Sequence, residues 1–347
     1  MVPMLKPAGR AWRRLPLAVF AAGLLMQAPL QAKPEGAAAY SADSELLLEG
    51  TAHEALFGVT GSGKSLFAVG AAGRVLHSQD GGKTWVREPT PGPAALLGVS
   101  AAGEHIVAVG QMGIILRRQS DASWTPVESG TKERLFNVSV NSRGVGVAVG
   151  AFGALLRTAD GGVSWQPIER DWKGVFRDGD MRLGDFFMPS LYGVQVNEDN
   201  RVWVVGELAL AMRSPDGGET WQITHAGGND SEGVEPTLSA VHVRSDGTGF
   251  AVGQEGYVLK TRTSGQTWQA LKRPTAVNLL GVTSSHDGVV VITGMRDMQI
   301  SRDDGRNFYP VYGNGISTGW FHGVTPGGNG AHAVTVGVGG KVLQIIN

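Results

Sequence analysis

Cysteine is absent from all 347 residues. Its absence excludes a disulfide framework, a thiolate zinc site and a cysteine-linked lipid anchor. Neither sign of charge dominates, with 30 Lys plus Arg against 31 Asp plus Glu. Those totals hold no nucleic-acid footprint and no polybasic membrane surface. The eight histidines show no HExxH and no cluster at metal-ligand spacing, so no metal and no cofactor is expected. Long apolar runs are missing too. Leu15 to Met26 falls well short of the ~20 residues that cross a bilayer.

That short run follows Lys6, Arg10, Arg13 and Arg14, and small residues come after it near Ala28 and Ala32. This is the layout of a cleavable export signal over residues 1–32, followed by a linker over 33–43. The Arg13–Arg14 pair raises twin-arginine export, but Leu15–Pro16 behind it matches poorly, and the general secretory route is preferred. Cleavage would remove four basic residues and no acidic ones, taking the net charge from −1 to −5. The expected location is the periplasm, or the thylakoid lumen of a photosynthetic host, peripheral to a membrane rather than spanning it.

What the chain has in excess is glycine, 52 residues, about twice the usual share. Without a collagen period, so much glycine points to tight turns and bulges of an all-β fold. A motif of the form Leu-aromatic-Gly-Val then recurs. It starts at Leu56, Leu96, Leu135, Leu191, Leu238, Leu279 and Phe321, at spacings of 40, 39, 56, 47, 41 and 42 residues. A period near 40 is one four-stranded propeller blade. A second strand ends each time in glycine (Gly70, Gly110, Gly150, Gly206, Gly253, Gly294, Gly337), usually with another glycine three residues on. Six positions after the first glycine comes an apolar residue in every copy: Leu76, Leu116, Leu156, Met212, Leu259, Ile300 and Leu343.

Third and fourth strands are joined by a signature turn, best seen in Ser78 to Trp85 and Ser214 to Trp221. Thr158 to Trp165 is close, Thr261 to Trp268 and Ser301 to Phe308 are weaker, and the copy ending at Trp124 is degenerate. This is the Asp-box pattern: aspartate accepts turn amides, glycines take left-handed positions, and the aromatic packs on the sheet. The seventh copy ends before a fourth strand, while Ser44 to Gly50 has no copy of its own. The expectation is a seven-bladed β-propeller over residues 44–347 with four-stranded antiparallel blades. The N-terminal strand would close the ring and remove its open edges.

Several motifs tempt. Gly58 to Ser65 fits the phosphate-binding pattern GxxxxGK[ST], but that loop must lead into a helix, and here it leads into the second strand of copy one. Nucleotide binding is not expected. Asp178-Gly179-Asp180 hints at calcium, but Arg182 occupies the next ligand position. Asp-boxes also occur in sialidases, whose chemistry needs a tyrosine nucleophile with an acid partner and an arginine cluster. None of the five tyrosines has such a setting, and the arginine-bearing opening motif is missing. A glycan-binding or sialidase-like protein is kept as an alternative. A structural accessory propeller of an envelope export complex is another. No catalytic residue is assigned.

Two features could bind a partner. One place after the apolar third-strand residue the copies read His77, Arg117, Arg157, Arg213, Lys260, Ser301 and Gln344. Strand faces alternate, so these side chains point away from the buried row. They form either a cationic arc for a partner or long side chains lying along blade interfaces with their heads in water, the second being preferred. The other feature is an insertion of about sixteen residues within 166–190. It contains Trp172, Phe176, Arg177, Arg182, Phe186, Phe187 and Met188, types enriched at interface cores. It serves a partner or folds onto the propeller's own rim. A shorter insertion, 226–236, reads as acidic and flexible.

The repeated Leu-aromatic-Gly-Val, Val-Gly-x-x-Gly and Asp-box elements resemble the photosystem II stability/assembly factor family over about residues 44–347. The resemblance implies an exported, non-enzymatic propeller that binds a membrane-protein subunit through an arginine patch. On this chain the patch would fall on Arg117, Arg157 and Arg213, interrupted where Ser301 and Gln344 replace a basic residue. An envelope membrane protein outside a photosystem is the other client that this departure suggests.

Overall fold

Each copy of the motif opens an antiparallel meander in the computed structural model, which describes residues 41–178, 187–230, 233–328 and 330–347. Copy one runs through Leu56–Ser62, Ser65–Gly70, Val75–Ser78 and Val86–Glu88, paired in that order. Copies two to five begin at Leu96, Leu135, Leu191 and Leu238, and each forms its own four-stranded sheet. Copies six and seven, from Leu279 and Phe321, share one eight-stranded sheet. The strand that joins them is N-terminal, Ala42–Leu48. It lies antiparallel to Val342–Ile346, and at Ala42–Asp43 it also pairs in parallel with Val311–Tyr312. Pairing therefore starts two residues ahead of the expected Ser44.

Second strands such as Gly146–Gly150 and Val202–Gly206 are buried along their whole length, because sheets pack on both of their faces. The hydrophobic clusters straddle neighbouring copies. Val107, Val109 and Ile115 of copy two, for example, meet Leu135, Val138 and Leu156 of copy three. First strands pack on first strands in succession, and that of copy seven packs on that of copy one. The motif's glycine makes this approach possible. A Cβ on Gly98 would lie 2.8 Å from the Asn137 Cα, and one on Gly323 would lie 2.7 Å from the Val59 nitrogen. Backbone meets backbone there, with no side chain able to move aside.

All seven first strands carry a register shift across the motif's second residue, as between Leu56 and Gly58 or Leu191 and Gly193. The fifth residue is polar in every copy: Thr60, Ser100, Ser139, Gln195, His242, Thr283 and Thr325. Ser100 Oγ accepts the Val140 amide at 3.0 Å, Ser139 Oγ accepts that of Val196 at 2.9 Å, and Gln195 bonds both backbone groups of Val243. First strands are edges of their sheets, so their outward amides need partners. This polar ring supplies several of them.

The two insertions find each other. Arg177–Asp178 pairs in parallel with Gly228–Asp230, which turns back onto Gly233–Val234. Among the described residues no helix is long and apolar enough to cross a membrane.

Candidate functional site

The signature turns are held by their own side chains. Ser78 Oγ accepts the Gly82 amide at 2.8 Å, Asp80 accepts the Thr84 amide and hydroxyl at 2.9 and 2.6 Å, and the Trp85 indole donates to Gly82. The Thr84 hydroxyl, then its amide, brings Asp80 down to about 2. In Thr261–Trp268, Thr263 takes the aspartate's place and accepts the Thr267 amide at 3.0 Å. The turn beginning at Ser78 follows a plain β-hairpin, Leu56–Ser62 into Ser65–Gly70. The phosphate-loop pattern lies on that hairpin, with no helix to follow it.

The basic row is placed by the third strands and reaches sideways to the next copy. Arg117 Nε donates to the Gly161 carbonyl at 3.1 Å, and Arg157 Nε donates to the Gly217 carbonyl at 2.8 Å. Lys260 Nζ donates to the Asp304 carbonyl and, at 2.9 Å, to its carboxylate. These three carbonyls are one and the same position of the turn. The Arg213 counterpart is Ser264, whose carbonyl is taken by the Trp203 indole at 2.9 Å. Arg213 Nη1 is left buried with no bond to a described group. His77 stacks on Phe67 at 4.1 Å with Nδ1 at 3.1 Å from Glu88. Burial holds this histidine below its ordinary value against the pull of Glu88. Glu88 also accepts from Arg118 and, at 2.7 Å, from the Trp124 indole of copy two. Arg117, Arg157 and Lys260 thus act as straps between neighbouring sheets, whereas His77 is held within its own copy.

One strap lies beside a cleft. Between copies five and six a cavity of about 450 Å³ is lined by Lys260, Arg262, Lys272 and Arg306, with Trp268 and Phe308 as its aromatic walls. Among the described residues no carboxylate lines it. Arg262, Lys272 and Arg306 are exposed, and no ion pair among the described residues involves them. The nearby Asp304 is already held by Lys260 and Arg244 at 2.9 Å each. Burial opposes its charge, yet these two cations keep its carboxyl below the usual range. An extended anionic segment with an apolar side chain fits this composition. Of the cleft's cations, the basic row contained only Lys260. A signal existed for Arg262 alone, which stands where the best copies have Gln79 or Pro215; Arg306 stands where they have Lys83 or Glu219, and Lys272 lies outside the turn.

The long insertion packs inward where it is described. Trp172 and Phe176 are buried with Val147, Leu155 and Leu191, and Phe187 packs on the same cluster. Its exposed apolar residue is Met188. Arg177 lies in the short insertion strand, but its side chain, together with Arg182, Phe186 and the Gly179–Asp180 pair, falls outside the described residues.

Residues 186–308, which include the whole cleft, match the family model "Photosynthesis system II assembly factor YCF48". No curated protein matches the chain. A solved structure described as "YCF48 bound to D1 peptide" is 15% identical with a TM-score of 0.64, covering 88% of this chain and 95% of its own. "YCF48 from Cyanidioschyzon merolae" is 18% identical with a TM-score of 0.67, covering 88% and 98%. The WD40 repeats of RRP9 superpose as well, at 10% identity and a TM-score of 0.67, covering 88% and 99%. Those likenesses carry the all-β propeller fold. With the family match they support a photosystem II assembly factor-like propeller.

Proposed function

We propose that this protein is an exported, non-enzymatic assembly scaffold that holds an acidic exposed segment of a membrane protein. Its body is a seven-bladed propeller in which the strand Ala42–Leu48 completes the last blade. The pairing of that strand with Val342–Ile346 supports the closure, as does the packing of the seventh first strand on the first. The leader-like composition of residues 1–32 supports export. One observation carries the binding role: the cleft of Arg262, Lys272 and Arg306 has aromatic walls and, among the described residues, no carboxylate. Unpaired cations at a concave, partly apolar surface attract acidic segments and fix their register. The relative bound to a D1 peptide supports a polypeptide as the occupant.

The test is affinity capture of the tagged mature protein from detergent-solubilised membranes, with a carboxylate-to-lysine cross-linker. Arg262→Glu/Lys272→Glu/Arg306→Glu is compared with Arg143→Glu, another exposed cation. The reading expects one membrane subunit whose acidic segment cross-links at Lys272, with recovery at least tenfold lower for the triple variant and unchanged for the control. Equal recovery by all three proteins removes the cleft, and recovery of no membrane subunit removes the scaffold.

A further inference from the structure

The two layers of the axial channel differ in chemistry. The fifth residues of the first strands are polar, and several bond the next strand's backbone. The second residues line a cavity of about 380 Å³, a size suited to a small ligand or a side chain. Its walls are Phe57, Leu97, Phe136, Tyr192 and Leu280, joined by His322. The register shift in every first strand displaces this residue from regular pairing, a device that re-aims side chains beside functional sites. Phe57 stacks on Trp320 at 5.7 Å, and Phe136 stacks on Tyr192 at 4.9 Å. These pairs fix the walls before any ligand arrives.

Among the lining residues the polar groups are Arg134, Thr237, Ser239, Gln254, Asn278 and His322, and the Glu207 carboxylate bonds the Tyr192 side chain behind the wall. Arg134 is exposed there and joins no ion pair among the described residues. His322 Nδ1 lies 2.9 Å from the Phe57 carbonyl, and the Gln254 and Asn278 side-chain oxygens accept backbone amides. Among the described residues no carboxylate lines the cavity. Glu207, close to Tyr192, accepts the Ser190 amide at 2.9 Å. A second observation points to the same end. Met112 and Phe152 are 74% and 66% exposed and sit at φ 55° and 50°. Ala72 and Glu255 take the same left-handed conformation in the equivalent turns, so the repeat sets this backbone, and copies two and three use it to present an exposed apolar side chain. The Phe152 turn is tied to this end of the molecule through the Ala151 amide, which donates to the Arg134 carbonyl at 2.9 Å.

We propose that the mouth is a recognition pocket that takes one aromatic side chain of a partner polypeptide, with the carboxylate of an adjacent acidic residue set against Arg134. The inference rests on the polypeptide-binding reading, but not on the cleft between copies five and six. The probe is an acetylated and amidated peptide of sequence Gly-Gly-Phe-Asp-Gly-Gly. It is titrated into the full mature protein while the methyl signals of Leu97 and Leu280 are followed by NMR. Both signals are expected to shift and saturate. Replacing Phe by Ala in the peptide weakens binding at least tenfold, and replacing Asp by Asn weakens it about threefold. In Arg134→Gln, whose exposed position leaves the rest of the spectrum unchanged, the Asp and Asn peptides bind alike. Unmoved Leu97 and Leu280 signals, or equal binding of the Phe and Ala peptides, overturn the pocket. Equal binding of the Asp and Asn peptides to the unaltered protein overturns the role of Arg134. Client capture that depends on the cleft while the mouth takes no peptide removes the pocket and leaves the scaffold. Peptide binding at the mouth with no membrane client captured does the reverse.

Discussion

The boundary between copies three and four and the boundary between copies five and six use one device and then diverge. At the first, Arg157 crosses to the Gly217 carbonyl and to Glu219. At the second, Lys260 crosses to the equivalent carbonyl of Asp304 and to its carboxylate. Only the second adds Arg262, Lys272 and Arg306 around an aromatic cleft with no acid among its lining residues. Arg117, Arg157 and Lys260 recur with the repeat and are consumed by it, fastening one sheet to the next. Arg262, Lys272 and Arg306 lie off that row, have no such duty and stay available. Substitutions at tied groups should therefore cost stability and spare binding, whereas those at Arg262, Lys272 and Arg306 should do the opposite.

The largest break is expected on the axis. In Gly98→Val the new Cβ would press on the Asn137 Cα at 2.8 Å. A rigid backbone contact of this kind costs more than about 3 kcal/mol, so the variant should be recovered largely unfolded by circular dichroism. Next comes Glu88→Gln, which takes the charge from a buried carboxylate shared by His77, Arg118 and Trp124. Burial works against this carboxylate, yet Arg118 and the Trp124 indole keep it below its usual value. Removing one partner of a buried pair should cost about 3 kcal/mol in urea unfolding. Arg157→Met is milder, because the Glu219 side of its pair is 64% exposed. About 1 kcal/mol is expected from the lost bond to Gly217, with client capture unchanged. Reduced capture by Arg157→Met at normal stability would erase the distinction between tied and free cations.

The repeat itself was legible because its period is written in residues with no substitute: the glycine that lets first strands touch, and the Ser-x-Asp-Gly-Gly turn. The polar fifth position is written as Thr60, Ser100, Ser139, Gln195, His242, Thr283 and Thr325, four residue types that share hydrogen-bonding capacity but no single letter, and it lies beyond the four-residue motif. The left-handed residues ahead of Gly113 and Gly153 were hidden, since Met112 and Phe152 carry no mark of φ near 50°. The cleft was hidden for a different reason. Lys272 follows one sheet's outer strand and Arg306 sits on the next sheet's turn, so only the packing of two copies brings them together. The aromatics of the long insertion looked like interface anchors, yet Trp172 and Phe176 bury themselves in a core that a single sequence cannot display.

The smallest expected effect concerns pH and tests whether the polar ring is structural. His242 holds the ring's fifth position in copy five, with Nδ1 at 3.0 Å from Ser284 Oγ. Burial, followed by the charges of Arg244 and His286, lowers it to about 4 from an unfolded value near ~6.5. Between these values the unfolded chain binds the proton and the native one resists it. The stabilisation is complete above ~6.5 and declines as pH falls toward the native value, by at most about 1.4 kcal/mol per pH unit. His77 and His322 are lowered in the same direction, so one substitution should remove only part of the slope. The lowered Asp80 and Asp216, each at about 2, lose their contribution in a separate window below ~4. Glutamine suits the His242 position because Gln195 already fills it in copy four and bonds the next strand. Urea midpoints of His242→Gln should therefore change less between pH 7.5 and 4.5 than those of the unaltered chain, a range of ~3 pH units that covers most of the histidine's window. Identical pH profiles would mean that the ring at His242 opens to water and carries the proton in the native state.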